Sequence, residues 1–232
     1  MSLLTIVQAA ARRIGILKPT AVYTSTDTQV LQLLELSNEV GRELAQKQWQ
    51  ALIKEVPFTT VAAESQGNIT TIAPGFNYII NDTIWNRTQR RPVLGPRAPQ
   101  QWQQMLAQIF SGPFNQFRIR GNLVLFNPTP TAGESCYFEY LSKYWCTSAN
   151  GSTSRDAWGA DDDVTLLNEE LMTMGRVNRF REAKGLAFDT KKYDDYLLDL
   201  LSRDGSKPKL NMGGAPQGLT PGVIVPTGNW PL

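Results

Sequence analysis

The stretch Phe117-Arg118-Ile119-Arg120-Gly121-Asn122-Leu123-Val124-Leu125-Phe126 decides what the middle of this 232-residue chain can form. Phe117 and Ile119 alternate with two arginines, which is the period of a strand with one buried face. Gly121-Asn122 favours a two-residue turn, and an apolar run follows it. The stretch therefore predicts a β-hairpin.

The sequence on both sides of this hairpin has the composition of strands and turns. From residue 57 to residue 147, short runs rich in Thr, Ile, Val and aromatic residues alternate with Gly, Pro and Asn. Such runs predict strands, with a further strand at 135–144 and a short helix at 100–109. We therefore expect residues 57–147 to form a β-rich module, a small barrel or sandwich.

Two helices are predicted before this module. Residues 2–14 carry apolar residues at i, i+3 and i+4 spacing behind Ser2, a candidate N-cap. Thr26-Asp27-Thr28-Gln29 has the form of a capping box that begins at Thr26. The helix behind it is predicted to run to about Val56, because Pro57 prevents its continuation.

Two more helices are predicted after the module. The first begins at Asn168, a candidate N-cap, and ends at Gly185, where a left-handed glycine is expected. Its apolar residues repeat at intervals of three: Leu171, Met174, Val177 and Phe180. Asp189 is expected to cap the last helix, and Gly205 to end it. The chain is thus predicted to be α+β, with 1–56 and 148–204 forming a four-helix body into which 57–147 is inserted.

Residues 205–232 have a different composition, with six Gly, five Pro and no helical period. Such a segment cannot form a core of its own. A frayed tail is one interpretation, but a polar linker has no use for so many apolar side chains. We favour an extended arm that docks on a partner through eight residues: Leu210, Met212, Leu219, Val223, Ile224, Val225, Trp230 and Leu232.

The composition argues against most catalytic chemistry. Histidine is absent, which excludes Ser-His and Cys-His nucleophiles and His-based metal sites. Cys136 and Cys146 form neither a disulfide framework nor a zinc pattern. The run Asp161-Asp162-Asp163 suits the positive end of a following helix better than a metal loop. We predict no catalytic residue, no cofactor and no metal, and no apolar run is long enough to span a membrane. The N-terminus does not resemble a signal peptide, so folding in a cytoplasm is expected.

A cluster of four arginines is the best candidate for contact with nucleic acid. Arg87, Arg90, Arg91 and Arg97 lie close together in the sequence, near Trp85. Arginines can contact passing phosphates without reading sequence. The alternative is a face that forms salt bridges with another subunit, and the sequence leaves both interpretations open.

Three passages of the sequence resemble the head-to-tail adaptor family of tailed bacteriophages, called tail tubular protein A-like in short-tailed phages. They are residues 3–10 with Ile14-Gly15-Ile16; residues 117–127 with Pro128 and Tyr137-Phe138-Glu139-Tyr140; and residues 161–185 with Leu186, Tyr193 and Leu197. Together they cover most of residues 1–205, and their order and spacing are more specific than any one of them. The family often has a Trp in the penultimate helix, where this chain has Asn178-Arg179-Phe180.

The resemblance implies a structural protein of the virion, assembled in the host cytoplasm. Such adaptors form a ring, here twelve-fold to match the portal, that lies in the neck between capsid and tail. They extend a C-terminal segment onto the portal, offer the opposite face to the next tail protein, and let DNA pass through the lumen. Two alternatives stay open: another neck, tail-completion or receptor-facing tail protein, and a tail component that degrades cell wall.

Overall fold

The computed structural model describes residues 2–107, 112 and 114–205. The helices are α1 Leu3–Ile14, α2 Thr28–Leu44, α3 Ile69–Ile72, α4 Pro99–Ala107, α5 Glu169–Ala183 and α6 Lys191–Arg203, with a 3-10 turn at Gln50–Leu52. The strands are β1 Ile53–Thr59, β2 Ser65–Asn68, β3 Phe76–Ile79, β4 Trp85–Asn86, β5 Arg91–Pro92, β6 Gln116–Arg120, β7 Leu123–Asn127, β8 Ser135–Ser142, β9 Cys146–Thr147, β10 Ser154–Arg155 and β11 Val164–Thr165. The predicted α+β class is confirmed. The predicted arm residues from 206 onward lie outside the described part of the chain.

The helices near the two ends of the described chain pack on each other. Helix α5 contacts α1, α2 and α6. Leu3, Ile6, Leu33 and Leu171 are fully buried in their shared core. None of the described helices is long and apolar enough to cross a membrane.

The start of α1 is held by a distant loop. The Ser2 side chain accepts a hydrogen bond from the Thr5 N–H, as predicted for an N-cap. The two residues after Ser2 donate their backbone N–H groups to the distant loop. Leu3 bonds to the carbonyl of Asp163 (2.9 Å) and Leu4 to that of Asp161 (3.1 Å). These bonds satisfy donors that a helix leaves unpaired in its first turn.

Helix α2 begins and ends differently from the prediction. Asp27, and not Thr26, is its N-cap, accepting from the Gln29 N–H at 2.7 Å. The helix ends at Leu44, well before Val56, and the Trp49 indole N–H donates to the Leu44 carbonyl at 2.9 Å. This bond satisfies one of the carbonyls that a helix end exposes.

Strand β1 occupies the residues that were predicted to end α2. Among the described strands it pairs with β8 alone, so it is an edge strand of its sheet, and Pro57 lies opposite Tyr137. An edge strand tolerates a proline because one row of its N–H groups has no strand to bond. The β region therefore begins at Ile53, four residues before the predicted boundary at 57.

The described strands form three small sheets. Their orders are β1-β8-β4-β5, with β3 also on β8; β2-β7-β6; and β10-β9-β11. The predicted hairpin is confirmed as β6 and β7, with Phe117 opposite Phe126. Gly121 and Asn122 between them have φ of 55° and 64°, as a two-residue turn of this kind requires.

The first two sheets share a second core that is separate from the helical one. Phe58 of β1 meets Phe126 of β7 and Phe138 of β8 edge-on, each pair with ring centroids 5.9 Å apart. Just after β8 the chain enters the helical core. A Cβ on Gly41 of α2 would lie 2.3 Å from the Trp145 ring, so only glycine allows this approach.

Candidate functional site

A cleft of about 790 Å³ opens between β3 and β6, and we call it the β3–β6 cleft. Phe76 and Tyr78 of β3 line one side, and Arg118 and Ile119 of β6 line the other. Arg97 and Gln48 also belong to the lining.

The cleft meets the edge of β3 and not one of its faces. Six consecutive residues, 76–81, line it. Because successive side chains of a strand point to opposite faces, a single face would contribute only every second residue. Within the described part of the chain β3 pairs with β8 alone, so this edge is open.

The facing strand β6 is also partly open. Leu94 bridges to Gln116, the Phe117 N–H donates to the Leu94 carbonyl at 2.9 Å, and the Arg97 N–H donates to the Phe117 carbonyl at 3.0 Å. Past Phe117, no described strand covers this side of β6. The cleft therefore runs between two strand edges that can accept further backbone bonds.

The cleft carries positive charge. Arg97 and Arg118 belong to its lining, which includes neither Asp nor Glu. The Arg97 Nε is buried and finds no acceptor among the described residues. A buried N–H group without an acceptor is unfavourable, so the site suits an occupant that supplies oxygen acceptors.

The four arginines of the predicted basic face are divided between two places. Arg87, Arg90 and Arg91 lie on the β4–β5 hairpin, whereas Arg97 lines the β3–β6 cleft. The Arg87 guanidinium pairs with Glu55 and lies 3.5 Å from the centre of the Tyr137 ring. Arg87 thus has partners within its own chain.

The run Asp161-Asp162-Asp163 does not lie at the start of α5, which begins only at Glu169, so that prediction is wrong. Asp163 is buried and accepts from Arg155 (2.6 and 2.7 Å), from the Gly159 N–H (2.7 Å) and from the Ala160 N–H (3.1 Å). These contacts fold the loop that holds the start of α1.

Asp161 connects a second segment of the chain to this loop. Its Oδ1 accepts from the N–H groups of Val22 (3.0 Å) and Tyr23 (2.7 Å), which tie the α1–α2 connection to the same loop. Among the described residues there is no group of three side chains that could hold a metal ion. Asp161 and Asp163 accept from backbone N–H groups, and Asp163 also from Arg155.

Both cysteines are free and fully buried, one in each core. Burial raises the pKa of the Cys136 thiol and of the Cys146 thiol to about 12. Nucleophilic chemistry needs the thiolate and access to it, and neither cysteine offers these.

Arg176 on α5 is a residue that the sequence analysis missed. Its side chain is fully buried, and none of its three nitrogens has a partner among the described residues. Burial lowers the pKa of its guanidinium. Met172 and Phe180, four residues to either side, lie in the helical core. That i, i+4 spacing is the signal that places Arg176 on a buried face.

No protein-family model and no curated protein matches the chain. What the chain does is therefore inferred from its own residues and surfaces.

Proposed function

We propose that the chain is a structural virion protein, a head-to-tail adaptor that forms a ring between the portal and the tail of a bacteriophage. The order of the three passages at 3–16, 117–140 and 161–197 carries the proposal. The structure is compatible with it, because these passages supply α1, the strands β6 to β8 and the closing helices α5 and α6.

In this proposal α1, α2, α5 and α6 act as one body, and the strands between them as an inserted module. The contacts of α5 with the other three helices support such a body. Twelve bodies side by side form the wall of the ring. Each meets its neighbour through two different surfaces, as in any cyclic ring with more than two members.

The arm and the arginines have separate roles in the ring. Residues 206–232 dock on the portal through the apolar residues from Leu210 to Leu232. Arg90 and Arg91 of the β4–β5 hairpin either face DNA in the lumen or pair with acids of the adjacent copy. Contacts with phosphate would weaken steeply with salt, because each one releases counterions.

Assembly with the portal tests the proposal. The purified chain is mixed with the portal protein encoded in the same genome, and the complex is measured by sedimentation velocity. We expect twelve chains per twelve-fold portal. The matched control lacks residues 206–232, and it should stay unbound while keeping the circular dichroism of the full chain. A folded full-length chain that ignores the portal would contradict the adaptor role.

A further inference from the structure

We propose that in the free subunit the chain's own arm, residues 206–232, occupies the β3–β6 cleft, where Val223-Ile224-Val225 adds a strand to the open edge of β3. The inference goes beyond the adaptor role and does not depend on it, because it concerns one isolated molecule. It also implies that the arm has to leave the β3–β6 cleft before it can dock on a partner.

The described chain ends beside the cleft. The Asp204 carboxylate accepts from the Gln50 N–H at 2.8 Å, which fixes the end of α6 against the segment before β1. Gln48, two residues before Gln50, lines the cleft. The seventeen residues 206–222 can span roughly 55 Å at about 3.3 Å per residue. Val223 can therefore reach any part of the cleft.

The arm has the chemistry that the cleft accepts. Val223-Ile224-Val225 has high β propensity, and Phe76, Tyr78 and Ile119 give its side chains apolar contacts. Tyr78 is 39% exposed among the described residues, so it has surface left to cover.

The polar groups of the cleft also suit an uncharged strand. Residues 210–232 contain no Asp, Glu, Lys or Arg, so Arg97 and Arg118 meet no like charge there. An added strand brings backbone carbonyls, which supply acceptors for the buried Arg97 Nε and for the edge of β3. Strand addition of this kind takes its affinity from main-chain bonds and its selectivity from the side-chain contacts.

An open strand edge is also a hazard that a free subunit has to cover. Unpaired N–H and C=O groups in a row recruit strands from other chains. An arm attached to the same molecule is present at a high effective concentration, so it competes well against other copies. This favours the subunit's own arm over a second copy as the occupant.

Hydrogen exchange on the full-length chain tests the proposal. The test variant carries V223S, I224G and V225S together, and the matched control carries K207S and K209S. In the unchanged chain and in the control, we expect the amides of residues 77–79 that do not bond to β8 to exchange at least about tenfold more slowly than in the test variant. The amides of Phe76 and Ile80 serve as internal references, because they donate to the carbonyls of Ala73 and Glu139. The protection should not depend on protein concentration.

Three results would overturn the proposal. Equal exchange in all three chains means that the arm is not docked. Protection of the open-edge amides of residues 77–79 that persists in the test variant means that another segment covers the edge. Protection that grows with protein concentration assigns the site to the arm of a second copy. None of these results involves the portal, so the adaptor role is tested separately.

A disulfide trap gives an independent measurement. Tyr78→Cys and Ile224→Cys are combined in one chain, whose two native thiols are fully buried. Mild oxidation should produce a monomer with an internal cross-link between the two segments. A covalent dimer, or no cross-link, contradicts docking within one molecule.

Discussion

Replacing Arg176 by methionine should stabilise the protein. The Arg176 side chain is fully buried, and its three nitrogens have no acceptor among the described residues. The favourable interactions that usually offset the burial of a charge are therefore missing at this position. Methionine keeps most of the apolar stem that packs between the turns of Met172 and Phe180.

The size of the effect follows from two opposing contributions. Replacing a buried charge by an apolar residue of similar volume gains about 1–4 kcal/mol. Methionine is shorter than arginine, and the small space it leaves costs about 1 kcal/mol. We expect a net gain of about 1.5 kcal/mol, and therefore a rise in Tm of about 3–6 °C at about 2–4 °C per kcal/mol for a domain of this size.

Calorimetry and urea unfolding measure this gain, with Arg179→Met as the control. Arg179 lies on the same helix, but it is 44% exposed and paired with Glu43 (2.9 Å) and Glu182 (3.3 Å). Losing exposed pairs of this kind changes stability by about 1 kcal/mol or less. If Arg176→Met lowers the Tm, the guanidinium has an acceptor, and the account of an unpaired charge is wrong.

Three further predictions test the packing and the loop. Cys136 and Cys146 should not react with Ellman's reagent at pH 8 until urea unfolds the chain, because burial raises the pKa of each thiol to about 12. A fast reaction of either thiol in the native protein would show that its core is open to solvent. Gly41→Ala should lower the free energy of unfolding by about 1–3 kcal/mol in urea titration, because the new Cβ would lie 2.3 Å from the buried Trp145 ring. The loss should exceed what alanine gains by favouring a helix, and a more stable variant would mean that the ring does not lie there. Asp163→Asn should cost about 1.5–3 kcal/mol in the same assay, because the buried carboxylate loses the charge that strengthens its bonds from Arg155, whose side chain is 35% exposed. The exposed neighbour Asp162→Asn should be nearly neutral, and equal effects would mean that the Asp163 contacts do not hold the loop.

Local signals in the sequence predicted the elements that depend on local chemistry. Gly121-Asn122 specified the turn of the β6–β7 hairpin, because both positions need a left-handed backbone. Ser2 and Asn168 were recognised as N-caps, and their side chains accept the expected backbone bonds. Gly185 has the predicted positive φ after α5. All of these depend on residues that are close together in the chain.

The predictions were wrong where contacts between residues far apart in the sequence determine the structure. The sequence predicts the end of α2 too late, because its apolar pattern continues into residues that instead pair with β8, far along the chain. The sequence does not single out Arg176, because the apolar spacing of α5 predicts one buried stripe that does not include it. In the structure α5 contacts three other helices, so more of its surface is buried than one stripe provides.

The candidate site was the least predictable part. Gln48, β3 and β6 each contribute to the β3–β6 cleft, and nothing in their sequences shows that they meet. The arginine cluster was found from its composition, but the structure divides it between a hairpin and the cleft. Charge spacing in a sequence cannot show which loops approach one another.

The proposed adaptor role is tested most directly by a reconstruction of the neck of a phage particle assembled with this chain. We predict density for twelve copies in a ring directly below the portal, with the helices α1, α2, α5 and α6 in the wall and residues 206–232 of each copy on the portal. A neck without this chain, or a chain found only at the distal end of the tail, would contradict the account.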